Sequence, residues 1–309
     1  MSKPIPVAAV DCGTNTIRLL VGYEQRGKWH DLERTMQIVR LGEGVDQTGY
    51  LSEAAIERTV AAARQYAHIC RHYGVDPLHI RCVATSASRD AKNAAEFKSK
   101  MREVLGVTPE VIEGQEEARL SYAGALSTLR DAAEPALVVD IGGGSTEFVV
   151  GDHGQVQAVS TNMGSVRVTE RLAAGSGIKF VDDLLREADD ELDFSRVRTV
   201  IGVAGTVTTI AAHALDLSEY EPQKIHGSVH SVEQMLRSCA YMIDTPVEQK
   251  AQLGYMAKGR ADVIGGGALI WRAIVRRLET RAGTQKIIVS ENDILDGVAL
   301  SLVHADSSQ

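Results

Sequence analysis

The sequence is short of several things, and each shortage narrows what the protein can be. It has four cysteines, Cys12, Cys70, Cys82 and Cys239, and no two stand at the CxxC spacing of a thiolate metal site or a redox pair. No apolar run approaches the roughly 18 residues that a membrane-crossing helix needs. The apolar stretch after Met1 is too short for a secretory signal and reads directly into Asp11. A cytoplasmic protein with reduced thiols and no membrane partner is therefore expected. Cys12 reads as a small core-filling residue beside a candidate site aspartate. Basic residues are outnumbered, 33 Lys and Arg against 41 Asp and Glu, for a formal net charge of −8. That balance argues against general nucleic-acid binding, which needs a basic face. It also constrains any anionic substrate, which would need a local set of arginines inside an acidic molecule.

What is present fits a packed globular chain. Hydrophobic residues make up 44% and charged residues 24%. At 309 residues the chain exceeds a comfortable single core, so two domains are expected. The only tail-like segment is Ala305 to Gln309.

An internal repeat organises the chain. Val7 to Gly22 reads VAAVDCGTNTIRLLVG, and Ala136 to Gly151 reads ALVVDIGGGSTEFVVG. The two align without a gap: Asp11 with Asp140, Gly13 with Gly142, Thr16 with Ser145, Gly22 with Gly151. Each copy predicts an apolar strand ending in an aspartate, a glycine-containing turn and a second apolar strand running back. Glycine in such a turn permits close approach of backbone to a ligand. Successive backbone N–H groups there form an anion-binding nest. The hydroxyls of Thr14, Thr16, Ser145 and Thr146 add donors. The two turns are candidate phosphate loops, one per half.

In the first half the pattern predicts strands over about 5–11, 15–24, 28–38 and 80–85. Helices are predicted over about 52–73, opened by a Ser52 cap, 89–105 and 115–129. RDAAEP (Arg130 to Pro135) reads as a hinge linker. In the second half, strands are predicted over about 136–140, 145–151, 155–162, 199–205 and 286–290. The helices predicted there are 165–173, 178–192, 206–215, 231–242, 260–280 and 292–303. A hairpin-led sheet with alternating helices, present twice, predicts an α/β protein. The expected domains are 1–130 and 131–309, with the last helix free to pack back on the first.

At this point the chain resembles a known family, the exopolyphosphatase / guanosine pentaphosphate phosphohydrolase (Ppx/GppA) family. The resemblance runs over nearly the whole chain. It rests on DCGTNTIR (Asp11 to Arg18), RLGEGV (Arg40 to Val45), ATSASRDA (Ala84 to Ala91), IEGQEEARL (Ile112 to Leu120), DIGGGSTE (Asp140 to Glu147), MGSVRVTER (Met163 to Arg171), VAGTVTT (Val203 to Thr209) and GRADVIGGGALI (Gly259 to Ile270). It implies the actin/hexokinase-like ATPase (ribonuclease H-like) duplicated fold, with a site in an interdomain cleft. It implies Mg²⁺-assisted hydrolysis of the terminal phosphoanhydride of inorganic polyphosphate, of guanosine pentaphosphate, or of both. The chain is similar to the short members, without the further C-terminal helical region of the longer ones.

Roles follow from the resemblance together with the chemistry. The glutamate before the Ala-Arg pair, Glu117, is the expected general base. Glu116 beside it points elsewhere on a helix. Asp140 and Glu147, carboxylates on either side of one turn, are expected to bind Mg²⁺ directly or through its waters. Arg18 and Arg89 are expected to clamp phosphate oxygens, with Arg40 a weaker third. Asp11, Gly13, Thr14, Asn15 and Thr16 form the first phosphate loop, and Gly142, Gly143, Gly144, Ser145 and Thr146 the second. Gly205 and Thr206 are expected near phosphate or nucleoside, with tight strand–helix packing the equal alternative for Gly205.

Other features read as ordinary surface. His68 and His72 stand four apart on a helix without an evident third ligand. Arg272, Arg276, Arg277 and Arg281 lie along one long helix as a solvated face or as a track for a phosphate chain. Lys224, His226 and His230 fall in a predicted loop. The leading expectation is an exopolyphosphatase. A guanosine pentaphosphate phosphohydrolase, a kinase of the same architecture and a non-catalytic polyphosphate or guanosine-nucleotide sensor stay open. A homodimer is admitted and not required.

Overall fold

The computed structural model describes residues 4–129 and 132–306. Arg130 and Asp131 of the predicted linker lie outside the described residues, as do residues 307–309 of the predicted tail. The chain divides into two compact units: Met1–Glu113 with Ile294–Gln309, and Gly114–Asp293.

The first unit begins with a meander of β1 (Val7–Cys12), β2 (Thr16–Gln25) and β3 (Lys28–Ile38), followed by the parallel strands β4 (Ile80–Ala84) and β5 (Glu110–Val111). The sheet order is β3-β2-β1-β4-β5. Its helices before residue 113 are α1 (Val45–Thr48), α2 (Glu53–His72), α3 (Ser86–Asp90) and α4 (Ala94–Leu105). Ser52 caps α2 as expected, its side chain accepting from the Ala55 N–H. Ile56, Ala63, Tyr66, Ala67 and Cys70 recur at helical spacing and are buried. The Tyr66 hydroxyl ends on the Ile17 carbonyl at 2.9 Å. The helix predicted over 89–105 is two helices. Ala91 is extended, and the Asn93 side chain is spent on both backbone groups of Leu51, at 2.9 and 3.0 Å.

The second unit opens with α5 (Gly114–Leu126) and a second meander, β6 (Ala136–Ile141), β7 (Thr146–Asp152) and β8 (Gln155–Thr161). It continues through α6 (Ser165–Ala173), α7 (Lys179–Leu192), β9 (Thr199–Val203), α8 (Ala204–Ala214), α9 (Pro222–Ile225), β10 (Val229–Ser231), α10 (Val232–Asp244), α11 (Val247–Lys250), α12 (Ile264–Ala282) and β11 (Lys286–Val289). The sheet order is β10-β11-β9-β6-β7-β8. From its β8 end, this sheet repeats the order of the first: three antiparallel strands, then a parallel strand beside the first of them. That duplicated order is the actin/hexokinase-like α/β fold expected from the sequence. Strand β10 stands where a loop was predicted, because three residues pair antiparallel with β11.

The last helix, α13 (Ile294–Asp306), belongs to the first unit. It packs on β1, β2 and β4 with Leu295, Val298 and Ala299 buried. Ala9 pairs with Leu20 and Arg81, and Leu20 pairs with Arg34, so the two arginines share a row with Ala9. Arg34 donates to both Asp296 oxygens, at 2.5 and 3.2 Å, and Arg81 donates to Ser301 at 2.9 Å. Side chains alternate faces along a strand, so Asp11 is on this covered face too. In the second unit α5 covers the face that carries Asp140.

Candidate active site

The two turns predicted as phosphate loops are built alike. The Gly13 N–H donates to the Thr16 carbonyl at 2.9 Å, and the Gly142 N–H donates to the Ser145 carbonyl at 3.0 Å. A Cβ at either glycine would sit 3.3 Å from the same carbonyl. The strand register repeats as well: Asp11 opposes Arg18, and Asp140 opposes Glu147. The aligned glycines at the far ends, Gly22 and Gly151, each have an aromatic residue against the α-carbon, Trp29 and Tyr122.

In the first unit the loop rests on the RLGEG turn. The Thr14 carbonyl accepts from the Gly42 N–H at 2.8 Å, and the Asn15 carbonyl accepts from Val39 and Arg40 at 3.0 and 2.9 Å. A Cβ at Gly42 would lie 2.4 Å from the Thr14 methyl and 2.9 Å from Ala87, so loop, turn and α3 meet there. Thr14 and Asn15 are buried. Arg18 grips Asp11 through Nε and Nη2, at 3.0 and 2.7 Å to one carboxylate oxygen. Arg89 lies near the end of α3, which already begins at Ser86 within the ATSAS segment, and donates to the Ile112 carbonyl at 2.7 Å. Cys12 stands 3.9 Å from Cys82, both buried. Its hydrogen bond to Cys82, and then burial, hold its thiol well above the ordinary range, which suits a core filler.

In the second unit the loop rests on the start of α6. The Gly142 carbonyl accepts from the Ser165 N–H at 2.9 Å, the Gly143 carbonyl from Val166 at 2.9 Å, and the Gly144 carbonyl from Arg167 Nε at 2.8 Å. In a trans peptide the C=O of one residue and the N–H of the next point opposite ways. The amides of Gly143, Gly144 and Ser145 are thereby aimed away from α6, as an anion nest requires. Gly164 makes this seating possible, since a Cβ there would fall 2.3 Å from the Gly143 carbonyl group. Thr146 is fully buried and its hydroxyl donates to the Met163 carbonyl at 2.5 Å, so it holds the loop's exit.

Asp140, Glu147 and Ser160 form one row across β6, β7 and β8, on a single face. The next row on that face, Val138, Val149 and Ala158, is apolar and packs with Ala118, Tyr122 and Ala125 of α5. Helix α5 is therefore apolar toward its end and polar toward its start, matched to the sheet beneath. Gly114, Glu117 and Ser121 fall on one helical stripe. A Cβ at Gly114 would be 2.4 Å from Ser160 Cβ, and the Ser121 hydroxyl donates to Asp140 Oδ2. Glu117 stands between these two anchor points, 8% exposed, while Glu116 is exposed. Ser160 donates to Glu147 Oε1 at 2.8 Å.

The donor set fits a hard divalent cation. Asp140 and Glu147 are 6% and 1% exposed and directly opposed across two strands. Like charges in that arrangement repel, and a bound cation reverses the sign. Oxygen ligands without His or Cys suit Mg²⁺. The first loop solves the same problem internally, since Arg18 occupies the position that Glu147 holds in the second.

Gly205 and Thr206 begin α8, directly after β9, whose Val203 opposes Asp140. Arg260 donates to the Gly205 carbonyl at 3.0 Å, and a Cβ at Gly205 would sit 2.3 Å from its guanidinium. His68 and His72 are exposed on α2. Among the described residues the one close cluster of carboxylate and imidazole groups is Glu134, Asp152 and His153, elsewhere on the second unit. His230 is buried against Ser228, and His226 accepts from the Glu291 N–H. Arg272, Arg276, Arg277 and Arg281 line a groove of about 410 Å³ between α7 and α12, where Arg277 and Arg281 are held by the buried Asp189. Ser121, Ser160 and Gly164 carry the geometry and were missed from sequence, where isolated small residues give no periodic signal.

A two-unit α/β chain with paired glycine turns and an opposed carboxylate pair is the frame of a phosphate-handling enzyme. The sequence profile of the Ppx/GppA phosphatase family matches residues 20–305. Exopolyphosphatase 2 of Mycobacterium tuberculosis is 42% identical over 314 aligned positions, covering 96% of this chain and 98% of that protein. The crystal structure of an exopolyphosphatase-like protein superposes with a TM-score of 0.91 at 38% identity, covering 97% of this chain and 98% of its own. The Ppx/GppA family member of Aquifex aeolicus superposes with a TM-score of 0.78 at 30% identity, covering 98% of this chain and 99% of its own. The chain belongs to the Ppx/GppA phosphatase family.

Proposed function

We propose that the protein is an exopolyphosphatase that releases terminal orthophosphate from inorganic polyphosphate by Mg²⁺-assisted hydrolysis. The observation that carries this reading is the polar row Asp140–Glu147–Ser160 beneath Glu117, at the mouth of the glycine turn 142–146. Kinship with exopolyphosphatase 2 of Mycobacterium tuberculosis supports polyphosphate as substrate.

The chain's own residues divide the work. Amides of Gly143, Gly144 and Ser145 hold phosphate oxygens of the terminal unit. Glu117 takes a proton from water as its oxygen attacks the terminal phosphorus. The bridging P–O bond breaks, and the shortened chain leaves with that oxygen. Asp140 and Glu147 hold Mg²⁺, which supplies charge neutralisation at the transferring phosphoryl group. The first unit carries its own phosphate contacts at Thr14, Asn15 and Thr16, with Arg18 and Arg89 as cationic groups. Arg18 also balances Asp11, so it acts there as a fixed cation.

The test is phosphate release from short and long polyphosphate and from guanosine pentaphosphate, with and without Mg²⁺, in wild type and Glu117→Gln. Mg²⁺-dependent release from polyphosphate that drops by about 10² to 10⁴ in the variant is expected of a lost general base. Faster release from guanosine pentaphosphate than from any polyphosphate would replace the substrate. Saturable binding of polyphosphate with no release would replace the enzyme with a sensor.

A further inference from the structure

We infer that Ser121 and Ser160 are positioning residues for the cation-binding carboxylates, and that Ser121 also sets the helical register of Glu117. The inference rests on the reading of Asp140 and Glu147 as the Mg²⁺ ligands. Each hydroxyl donates to one oxygen of one carboxylate: Ser121 to Asp140 Oδ2, and Ser160 to Glu147 Oε1 at 2.8 Å. Ser121 is fully buried and Ser160 half-buried, and both carboxylates are at most 6% exposed, so water cannot easily replace the Ser121 donor.

The two serines reach the carboxylates from different directions. Ser160 is the cross-strand partner of Glu147, so its hydroxyl approaches within the sheet. Ser121 comes from the helix above. A ligating carboxylate free to rotate would lose affinity, because a cation selects one geometry. A hydroxyl donor on one oxygen fixes the rotamer and leaves the group ionised. The Ser121 bond does more than this. It joins α5 to the end of β6 one helical turn after Glu117, while Gly114 closes against Ser160 one turn before. The base candidate is thus pinned on both sides by contacts that end on the metal-binding row. Sliding α5 by one residue would break the Ser121 bond and turn Glu117 off the row.

The experiment compares Ser121→Ala and Ser160→Ala with wild type, Asp140→Asn and Glu147→Gln. Mg²⁺ affinity of the substrate-free protein is read by calorimetry, beside kcat and KM for polyphosphate. Removing an outer hydrogen-bond partner of a metal ligand is expected to weaken Mg²⁺ binding about 10- to 100-fold in each serine variant. At saturating Mg²⁺, Ser160→Ala should recover most of its kcat. Ser121→Ala should not, because the turn of α5 that carries Glu117 loses its tie to Asp140, and its KM should change less than twofold. Each serine variant tests the idea alone, so misfolding of one leaves the other. Mg²⁺ affinity within twofold of wild type in both serine variants, alongside its loss in Asp140→Asn and Glu147→Gln, would overturn the inference alone. Unchanged Mg²⁺ affinity in the two carboxylate variants would overturn the ligand reading, and the inference with it.

Discussion

Arg18→Met tests whether the first loop is an ion-paired counterpart of the second. The substitution keeps an apolar stem and removes the guanidinium. Asp11 is left with a side chain 5% exposed and without the Nε and Nη2 donors at 3.0 and 2.7 Å. Removing one partner of a buried pair costs about 3–5 kcal/mol. The Arg18 side chain is 20% exposed, so water reaches the vacated site and the cost falls to about 2–3 kcal/mol. In a unit of this size that lowers Tm by roughly 10 °C. Thermal unfolding by circular dichroism reads the shift. The discriminating variant is Asp11→Asn combined with Arg18→Met, where the neutral amide needs no cation and about half the loss should return. A single variant within about 2 °C of wild type, or a double variant no more stable than the single, refutes the balance argument.

Three further expectations follow from the same geometry. Gly114→Ala places a Cβ 2.4 Å from Ser160 Cβ and should cost about 1–3 kcal/mol with at least a tenfold loss of phosphate release. Adding Ser160→Gly should return stability in chemical denaturation, and phosphate release only at saturating Mg²⁺, since space is regained without the hydroxyl that orients Glu147. Burial lowers the pKa of His213 and of His230, so the unfolded chain takes up protons first as pH falls. Stability should therefore drop below about pH 6.5 and level off once the folded histidines also protonate. His230→Gln should flatten part of that slope in melts between pH 7.5 and 5. A chain ending at Asp293 lacks α13, which uncovers the face under Leu295, Val298 and Ala299. The first unit should then lose cooperative unfolding and bind a hydrophobic dye.

Much of this molecule could be read from local sequence. Continuous apolar runs ending in Asp11 and Asp140, with glycine two residues on, determined two strand–turn–strand units. Their gapless alignment determined that the turns would match, and the Gly13 and Gly142 hydrogen bonds do. The Ser52 cap and the stripe from Ile56 to Cys70 determined α2 within a residue at each end. These features are local because turn chemistry and side-chain periodicity act over a few residues.

Other features came only with tertiary structure. Ser121 and Ser160 are ordinary small polar residues until the register of β6, β7 and β8 and the packing of α5 bring them to Asp140 and Glu147. Gly164 looks like any glycine before a helix until the Gly143–Gly144 peptide lies on it. Arg18 could have faced a ligand alone, yet the cross-strand register sets it on Asp11. Helix α13, which the sequence left free to pack back on the first unit, is tied there by Arg34 and Arg81, more than 200 residues earlier, which reach Asp296 and Ser301. Each of these depends on contacts between residues distant in the chain, and no local propensity encodes which distant partner a hydroxyl, a glycine or a guanidinium will meet.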